Sequence, residues 1–373
     1  MHTSYGFIST YPPTQCGLAT FTASLRDALV AGGSDEGLVL ALVEGRPARP
    51  GPEVVGQLRM GDRSGAQAGL AGLDDCDVVI VQHEYGIYGG PDGEDVLLLL
   101  DGLRAPSIVV LHTVLLHPTQ HQREILEAVI ARAGAVVTMT ATARDRLATG
   151  YDADLRKVHV IAHGAPSAPT VIPTAAVFRS GRPTVLSWGL LGPGKGIEWG
   201  IDAMAELRDL DVQYVVAGQT HPKVVLREGE SYRTALQARA RALGLAASVT
   251  FDGRYREPDA LASLVQSADV VLLPYDSVDQ VTSGVLIEAV AAGKPVVATR
   301  FPHAVELLGD SAGILVAHKS AREIAAALRT LITHRDVAAR MARAAAAEAP
   351  RLMWPAVAER YRELASSLIG VPA

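Results

Sequence analysis

The sequence predicts an α/β protein built from two doubly wound, parallel-sheet domains. Three observations lead there. At 373 residues the chain exceeds one ordinary core and suits two domains of roughly 170 to 190 residues. Short β-branched runs alternate with helical stretches along its whole length, and continuous apolar strands separated by helices mean parallel strands buried on both faces. The rhythm then breaks once, at "APSAPTVIPTAAVFRSGR", residues 165–182, where three prolines and no clear period read as an interdomain linker.

The elements follow in order. In the first half "YGFIST" leads into "LATFTASLRDALVAGG", "DVVIVQ" into "GEDVLLLLDGLRA", and "SIVVLHT" into "TQHQREILEAVIARAG". "AVVTMT" leads into "ATARDRLATG", and "VHVIAHG" closes this half. After the linker come "PTVLSWG" with "GIEWGIDAMAELRD", "VQYVVAGQ" with "YRTALQARARALGL", and "VTFDG" with "EPDALASLVQSA". "DVVLLPY" with a helix at 283–292, "KPVVATR", "AGILVAH" and two Ala-rich helices complete it. A Pro break sets off a terminal helix, "WPAVAERYRELASSLIG". The expected domains are 1–170 together with 354–373, and 178–350. In open α/β sheets ligands bind beyond the carboxyl ends of the strands, so a cleft between two such domains is the expected site.

Composition narrows the class. Apolar residues make up 49% of the chain, and the net charge is −6 with a pI near 6.0, which disfavours nucleic acid as a partner. Cys16 and Cys76 are the only cysteines, too few for a disulfide framework or a structural zinc site. No signal-peptide pattern opens the chain and no apolar run has membrane-spanning length. A soluble cytoplasmic protein is expected, of unknown oligomeric state.

Four stretches sit where a strand gives way to a helix. In "TYPPTQCGLATFT" Gly17 opens the first helix, whose free N–H groups and dipole favour an anion; a plain tight turn is the alternative. In "LLGPGKG" Gly192, Gly194 and Gly196 surround Lys195, one of five lysines. The Walker spacing is missing, but a lysine among glycines at a strand end suits a phosphate contact. Gln280, Thr282, Ser283, Gly284 and Val285 lead into an apolar helix that keeps one carboxylate, Glu288. A lone carboxylate beside an anion site makes sense as an acceptor for sugar hydroxyls; a structural Glu–Arg pair is the alternative. His112 ends the strand "VVLHT", and an ordinary edge histidine is the competing reading. His83 and Glu84, with Tyr85 next, also end a strand and precede a Gly turn, but residue 87 is Ile, so no HExxH zinc motif forms. No metal site is expected.

With these motifs in place the chain resembles the glycosyltransferase family 4 enzymes. The likeness is most specific in "SWGLLGPGKG", "VVAGQTHP", "VTFDGRY", "ADVVLLPY" and "SGVLIEAVAAGKPVVAT". It implies a GT-B fold, two Rossmann-like domains facing across a cleft. It also implies retaining transfer of a hexosyl group from a UDP- or GDP-sugar to a hydroxyl acceptor, without a metal or a bound cofactor. Glu288 matches the second glutamate of the family's Glu-x7-Glu pattern, which holds the nucleotide ribose. Lys195 matches the lysine on the donor phosphates, His112 the histidine near the scissile bond, and Gly17 the glycine loop by the diphosphate. Two positions depart: Gln280 replaces the first glutamate, and Leu190 the arginine of the lysine loop, which Arg254 or Arg256 could replace. The resemblance thus implies His112, Lys195 and Glu288 as catalytic. Gly17, Gly192, Lys195, Arg254, Gln280, Thr282, Ser283, Gly284, Val285 and Glu288 would bind donor, and His83, Glu84 and Tyr85 a saccharide or small-molecule acceptor. The departures keep open a nucleotide-sugar-binding protein without turnover. A non-hydrolysing epimerase would share the fold.

Overall fold

The structure is a computed structural model and describes residues 2–45, 51–166, 178, 181–309 and 311–370. Most of the expected linker, 167–177 and 179–180, lies outside the described residues. The chain divides into two compact units, Met1–Gly164 with Trp354–Ala373, and Ala165–Met353.

In the first unit β1 (Ser4–Ser9), β2 (Glu36–Val43), β3 (Val54–Arg59), β4 (Val78–His83), β5 (Ser107–Leu111), β6 (Ala135–Thr138) and β7 (Val158–Val160) form one sheet. Their order is β3-β2-β1-β4-β5-β6-β7, and every pairing is parallel. Between them run α1 (Gly17–Val30), α2 (Ala66–Leu70), α3 (Val96–Gly102), α4 (Gln120–Arg132) and α5 (Ala141–Gly150). Helix starts follow the sequence closely. Thr119 and Gln122 form a capping box at α4, and Thr140 caps α5.

The second unit contains β8 (Thr184–Trp188), β9 (Gln213–Ala217), β10 (Val249–Asp252), β11 (Val270–Leu273), β12 (Val296–Thr299) and β13 (Gly313–Val316). The sheet order is β10-β9-β8-β11-β12-β13, again parallel throughout. Its helices are α6 (Ile197–Ala205), α7 (Pro222–Glu228), α8 (Ser231–Ala242), α9 (Pro258–Gln266), α10 (Gly284–Ala291), α11 (Pro302–Leu308), α12 (Ala321–Thr333) and α13 (Arg335–Leu352). Proline occupies the first turn of α7, α9 and α11, where its missing N–H costs nothing.

The last helix, α14 (Trp354–Ile369), belongs to the first unit. Its Val357, Ala358, Tyr361 and Leu364 share a core with Phe21, Leu25 and Leu29 of α1. Arg362 donates to the carbonyls of Ala28 and Leu29 at 2.8 and 2.9 Å, satisfying end-of-helix acceptors that α1 cannot reach itself.

Five elements go beyond the sequence expectation. The apolar run of β2 has no period that distinguishes strand from helix, and β3 is an edge strand interrupted by Gly56. The helices α2, α7 and α11, of five to seven residues, are too short to display a helical period. Among the described residues no helix is long and apolar enough to cross a membrane.

Candidate active site

Each sheet reverses its strand order at one point: between β1 and β4 in the first unit, and between β8 and β11 in the second. Loops leaving the two strands there diverge to opposite sides and leave a crevice at their carboxyl ends.

In the second unit the crevice starts from the loop after β8. Gly196 has φ +63, and a Cβ there would collide with the carbonyl oxygen of Pro274, so only glycine fits. Asp276 N–H donates to the Gly194 carbonyl at 2.9 Å, and the Trp199 indole N–H donates to Asp276 Oδ1 at 2.9 Å. These contacts join the glycine loop to the end of β11. Lys195 is thereby held with Nζ 4.4 Å from the centre of the Tyr275 ring. Tyr275 is buried and stacks on Phe301, with ring centres 5.1 Å apart. A cation–π contact contributes about 0.5–2 kcal/mol, so an arriving phosphate can compete for the ammonium.

Helix α10 opens beside the same strand end. Ser283 caps it, accepting from Leu286 N–H at 3.3 Å, and the Ser283 N–H itself donates to Nδ1 of buried His303 at 2.8 Å. Among the described residues, the amides of Gly284 and Val285 have no protein acceptor in that first turn. Two adjacent amides at the positive end of a helix form an anion cradle. The Thr282 hydroxyl next to them is buried without a hydrogen-bond partner. Gly189, at the end of β8, faces this turn: a Cβ there would lie 3.6 Å from Val285 Cγ2.

Glu288 lies one turn further along. Its Oε2 accepts from the Trp188 indole N–H at 2.9 Å, across 100 residues of sequence, and its partner is not an arginine. Burial pushes the Glu288 carboxyl up to about 7, against the lowering effect of the Trp188 N–H. A carboxyl poised there gains most from hydroxyl donors, which favour its ionised form.

The remaining donor-side residues are placed differently. Gly192 is buried against Val224. Leu190 is half-buried, while its neighbour Leu191 anchors the loop by pairing with Gln219 and His221. The Gln280 side-chain N–H donates to the Thr282 carbonyl at 3.0 Å, so its amide supports the loop before α10. Arg254 leaves β10, which lies two strands from β8. It is exposed and grips Asp252 through two hydrogen bonds of 3.0 and 2.8 Å. Arg254 first, then Arg256, holds the Asp252 carboxyl well below the usual carboxylate range. Neither arginine therefore replaces the charge missing at Leu190 without leaving its carboxylate.

In the first unit the β1/β4 crevice gathers imidazoles. His112 Nε2 lies 2.7 Å from Gln82 Oε1, and its backbone N–H donates to the His83 carbonyl at 3.1 Å. Phe21 of α1 meets His112 and His163 edge-on, both at 4.9 Å. Desolvation lowers His112 to about 3, and His83 and His163 each to about 4, so all three are neutral at pH 7. Ser9 Oγ, Gln82 Nε2 and His83 Nδ1 are buried there with no hydrogen-bond partner. Cys16 caps α1, and Gly17 stands exposed behind it with nothing within 4 Å of where a Cβ would be.

One acceptor expectation needs correction. His83 is 1% exposed, because it lies within β4 and its ring is covered by Tyr85, 5.1 Å away. It offers no surface to an acceptor. Glu84, which accepts from Thr113 at 2.5 Å, and Tyr85, which donates to the Gln122 carbonyl at 3.3 Å, are both half-buried beyond the strand. Sequence reasoning had no access to Trp188, Tyr275, His303, Gln82 or His163. An aromatic residue closing each of the strands "TVLSW" and "VVLLPY" was the available signal for the first two.

Residues 172–348 match the family described as Glycosyl transferases group 1. The match covers a little under half of the chain, and over those residues the chain is similar to that family. The glycine loop, α10 and Glu288 all fall inside the matched residues. A D-inositol 3-phosphate glycosyltransferase from Corynebacterium kroppenstedtii is 28% identical over 72% of the chain and 63% of its own length. An alpha-D-kanosaminyltransferase from Streptomyces kanamyceticus is 27% identical over 65% of the chain and 66% of its own length. The chain thus spans less than two thirds of each of these relatives. Among solved structures, HepE of Anabaena in complex with UDP and glucose aligns with a TM-score of 0.78 at 18% identity, covering 98% of this chain and 100% of that one. A sucrose-phosphate synthase from Thermosynechococcus elongatus has the same TM-score and identity, covering 98% and 99%. The fold is GT-B, two Rossmann-like domains with parallel sheets.

Proposed function

We propose that the chain is a retaining glycosyltransferase that moves a hexosyl group from a UDP- or GDP-sugar to a hydroxyl acceptor. The observation that carries this reading is the convergence at the β8/β11 crevice of Lys195, the free amides of Gly284 and Val285, and Glu288. The lysine and amides would bind the diphosphate, and Glu288 the ribose hydroxyls. In the reaction the bond from the anomeric carbon to the β-phosphate oxygen breaks. A bond to the acceptor oxygen forms on the same face, and the acceptor proton passes to the departing phosphate. Charge grows on that phosphate as the bond breaks, where Lys195 and the α10 amides stabilise it without reorganising. His112 would act as a neutral polar contact near the sugar. Glu84 and Tyr85 are assigned to the acceptor, a saccharide or small molecule, consistent with the inositol phosphate named for one relative.

Turnover should survive chelation. Among the described residues no group of three or more His, Cys, Asp or Glu side chains could hold a metal ion, and the lysine and amides take over that charge. Transfer measured in excess EDTA is expected to match untreated enzyme. Loss of activity restored by magnesium would refute the metal-free reading.

Binding without turnover is the second reading, motivated by the departure at Gln280, whose amide gives one of its two N–H donors to the Thr282 carbonyl. If Gln280 nonetheless meets the donor sugar through its oxygen, Gln280→Ala lowers turnover more than nucleotide affinity. The comparison is made by steady-state kinetics with the best donor from a UDP- and GDP-sugar screen. Equal turnover in both proteins places Gln280 outside the site. No transfer or donor hydrolysis by wild type with any donor favours the binding protein.

A further inference from the structure

The N–H of Ser283 is engaged by a side chain from another element. It donates to Nδ1 of the His303 imidazole at 2.8 Å, and the His303 backbone N–H donates back to the Gln280 carbonyl at 3.3 Å. His303 is 3% exposed in the first turn of α11, an element that contributes none of the assigned donor contacts. One histidine therefore closes both ends of the four-residue segment that leads into α10. With Ser283 N–H directed to His303, the Ser283 hydroxyl is free to cap Leu286. That arrangement leaves Gly284 and Val285 as a pair of amides with no protein acceptor among the described residues. Nδ1 can accept from Ser283 only as an unprotonated nitrogen, and a carboxamide oxygen can fill the same role.

We propose that His303 is the positioning residue of the phosphate cradle: its imidazole, by accepting from Ser283, fixes the end of the Gln280–Ser283 segment so that the Gly284 and Val285 amides meet the donor diphosphate. This rests on the donor-site reading above. It assigns His303 no contact with substrate.

The test compares wild type with His303→Asn, which keeps an acceptor, and with His303→Leu and His303→Met, which do not. Whichever apolar variant keeps a wild-type melting temperature is used. Calorimetry with UDP or GDP, whichever wild type binds, is paired with ligand-observed NMR of the corresponding nucleoside. The apolar variant is expected to lose about tenfold in diphosphate affinity, the effect of one misplaced hydrogen-bonding group. Nucleoside affinity stays unchanged, and the asparagine variant recovers most of the loss. Equal diphosphate affinity in the apolar variant and wild type overturns the positioning role while leaving the donor site intact. A parallel loss of nucleoside affinity, or no recovery in the asparagine variant, also overturns it, because His303 would then be merely structural. If wild type binds neither UDP nor GDP, the donor-site reading fails and this proposal with it.

Discussion

Replacing Glu288 by alanine is expected to weaken nucleotide binding by 10- to several-hundred-fold. A hydroxyl donor to a carboxylate contributes roughly 1.5–3 kcal/mol, and tenfold in affinity corresponds to about 1.4 kcal/mol. The expected range is therefore the loss of one full hydrogen bond and at most part of a second. The variant also leaves the Trp188 indole N–H, in a residue only 4% exposed, without its acceptor. That orphaned donor costs about 1–3 kcal/mol of stability. Glu288→Gln separates the two effects, since it keeps an acceptor for Trp188 and removes the charge. Burial holds the carboxyl at about 7, above its ordinary 4.5. Between those values the folded protein retains a proton that the unfolded chain has released, so stability from this group falls as pH rises from 4.5 to 7. Above pH 7 the glutamine variant should be the more stable protein, by about 1–3 kcal/mol after allowance for partial exposure. The gap should close near pH 4.5, and urea denaturation at the two pH values measures it. Ribose hydroxyls favour the carboxylate, so nucleotide binding near pH 6.5 should release a proton. Calorimetry in buffers of different ionisation enthalpy detects that release, and Glu288→Gln should abolish it. Unchanged affinity in Glu288→Ala would make the glutamate purely structural.

The second large effect is expected at Gly196. At φ +63 a β-carbon costs about 1–2 kcal/mol, and here it also runs into the Pro274 carbonyl. Gly196→Ala should lose on the order of 3 kcal/mol or more of stability in urea denaturation. Because Lys195 precedes this residue, nucleotide affinity should fall as well. Gly194→Ala is the control. Its φ is +90, but nothing lies within 4 Å of the new carbon, so only the conformational cost of about 1–2 kcal/mol remains. Equal destabilisation by the two substitutions would mean that the loop does not depend on its closeness to β11.

Much of this was readable in the amino-acid order, for a physical reason. Strands buried on both faces have to be apolar throughout, so "DVVIVQ" and "DVVLLPY" declare themselves parallel strands without partners in view. Lys195 stood out because lysine is rare in this chain and glycines surround it. Glu288 stood out because a charge inside an apolar helix has to have a reason. What stayed hidden depends on contacts between distant residues. The Trp188–Glu288 bond spans 100 positions, and that between Ser283 and His303 spans 20. Neither follows a helical or strand period. His83 ends β4 as the sequence reads, but its burial under the Tyr85 ring is a packing contact that its position at a strand end does not reveal. The arginines at 254 and 256 looked available for phosphate until their shared partner Asp252 came into view.

The most direct test of the donor site is a calorimetric titration of the full chain with UDP and with GDP, set beside the same titration of Lys195→Met. Methionine keeps the packing over Tyr275 and removes the charge. Wild type should bind at least one of the two nucleotides, and the variant should bind it at least tenfold more weakly, with the difference shrinking as salt is raised. Binding of neither nucleotide by wild type, or equal affinity in the two proteins, would contradict a phosphate site at the β8/β11 crevice.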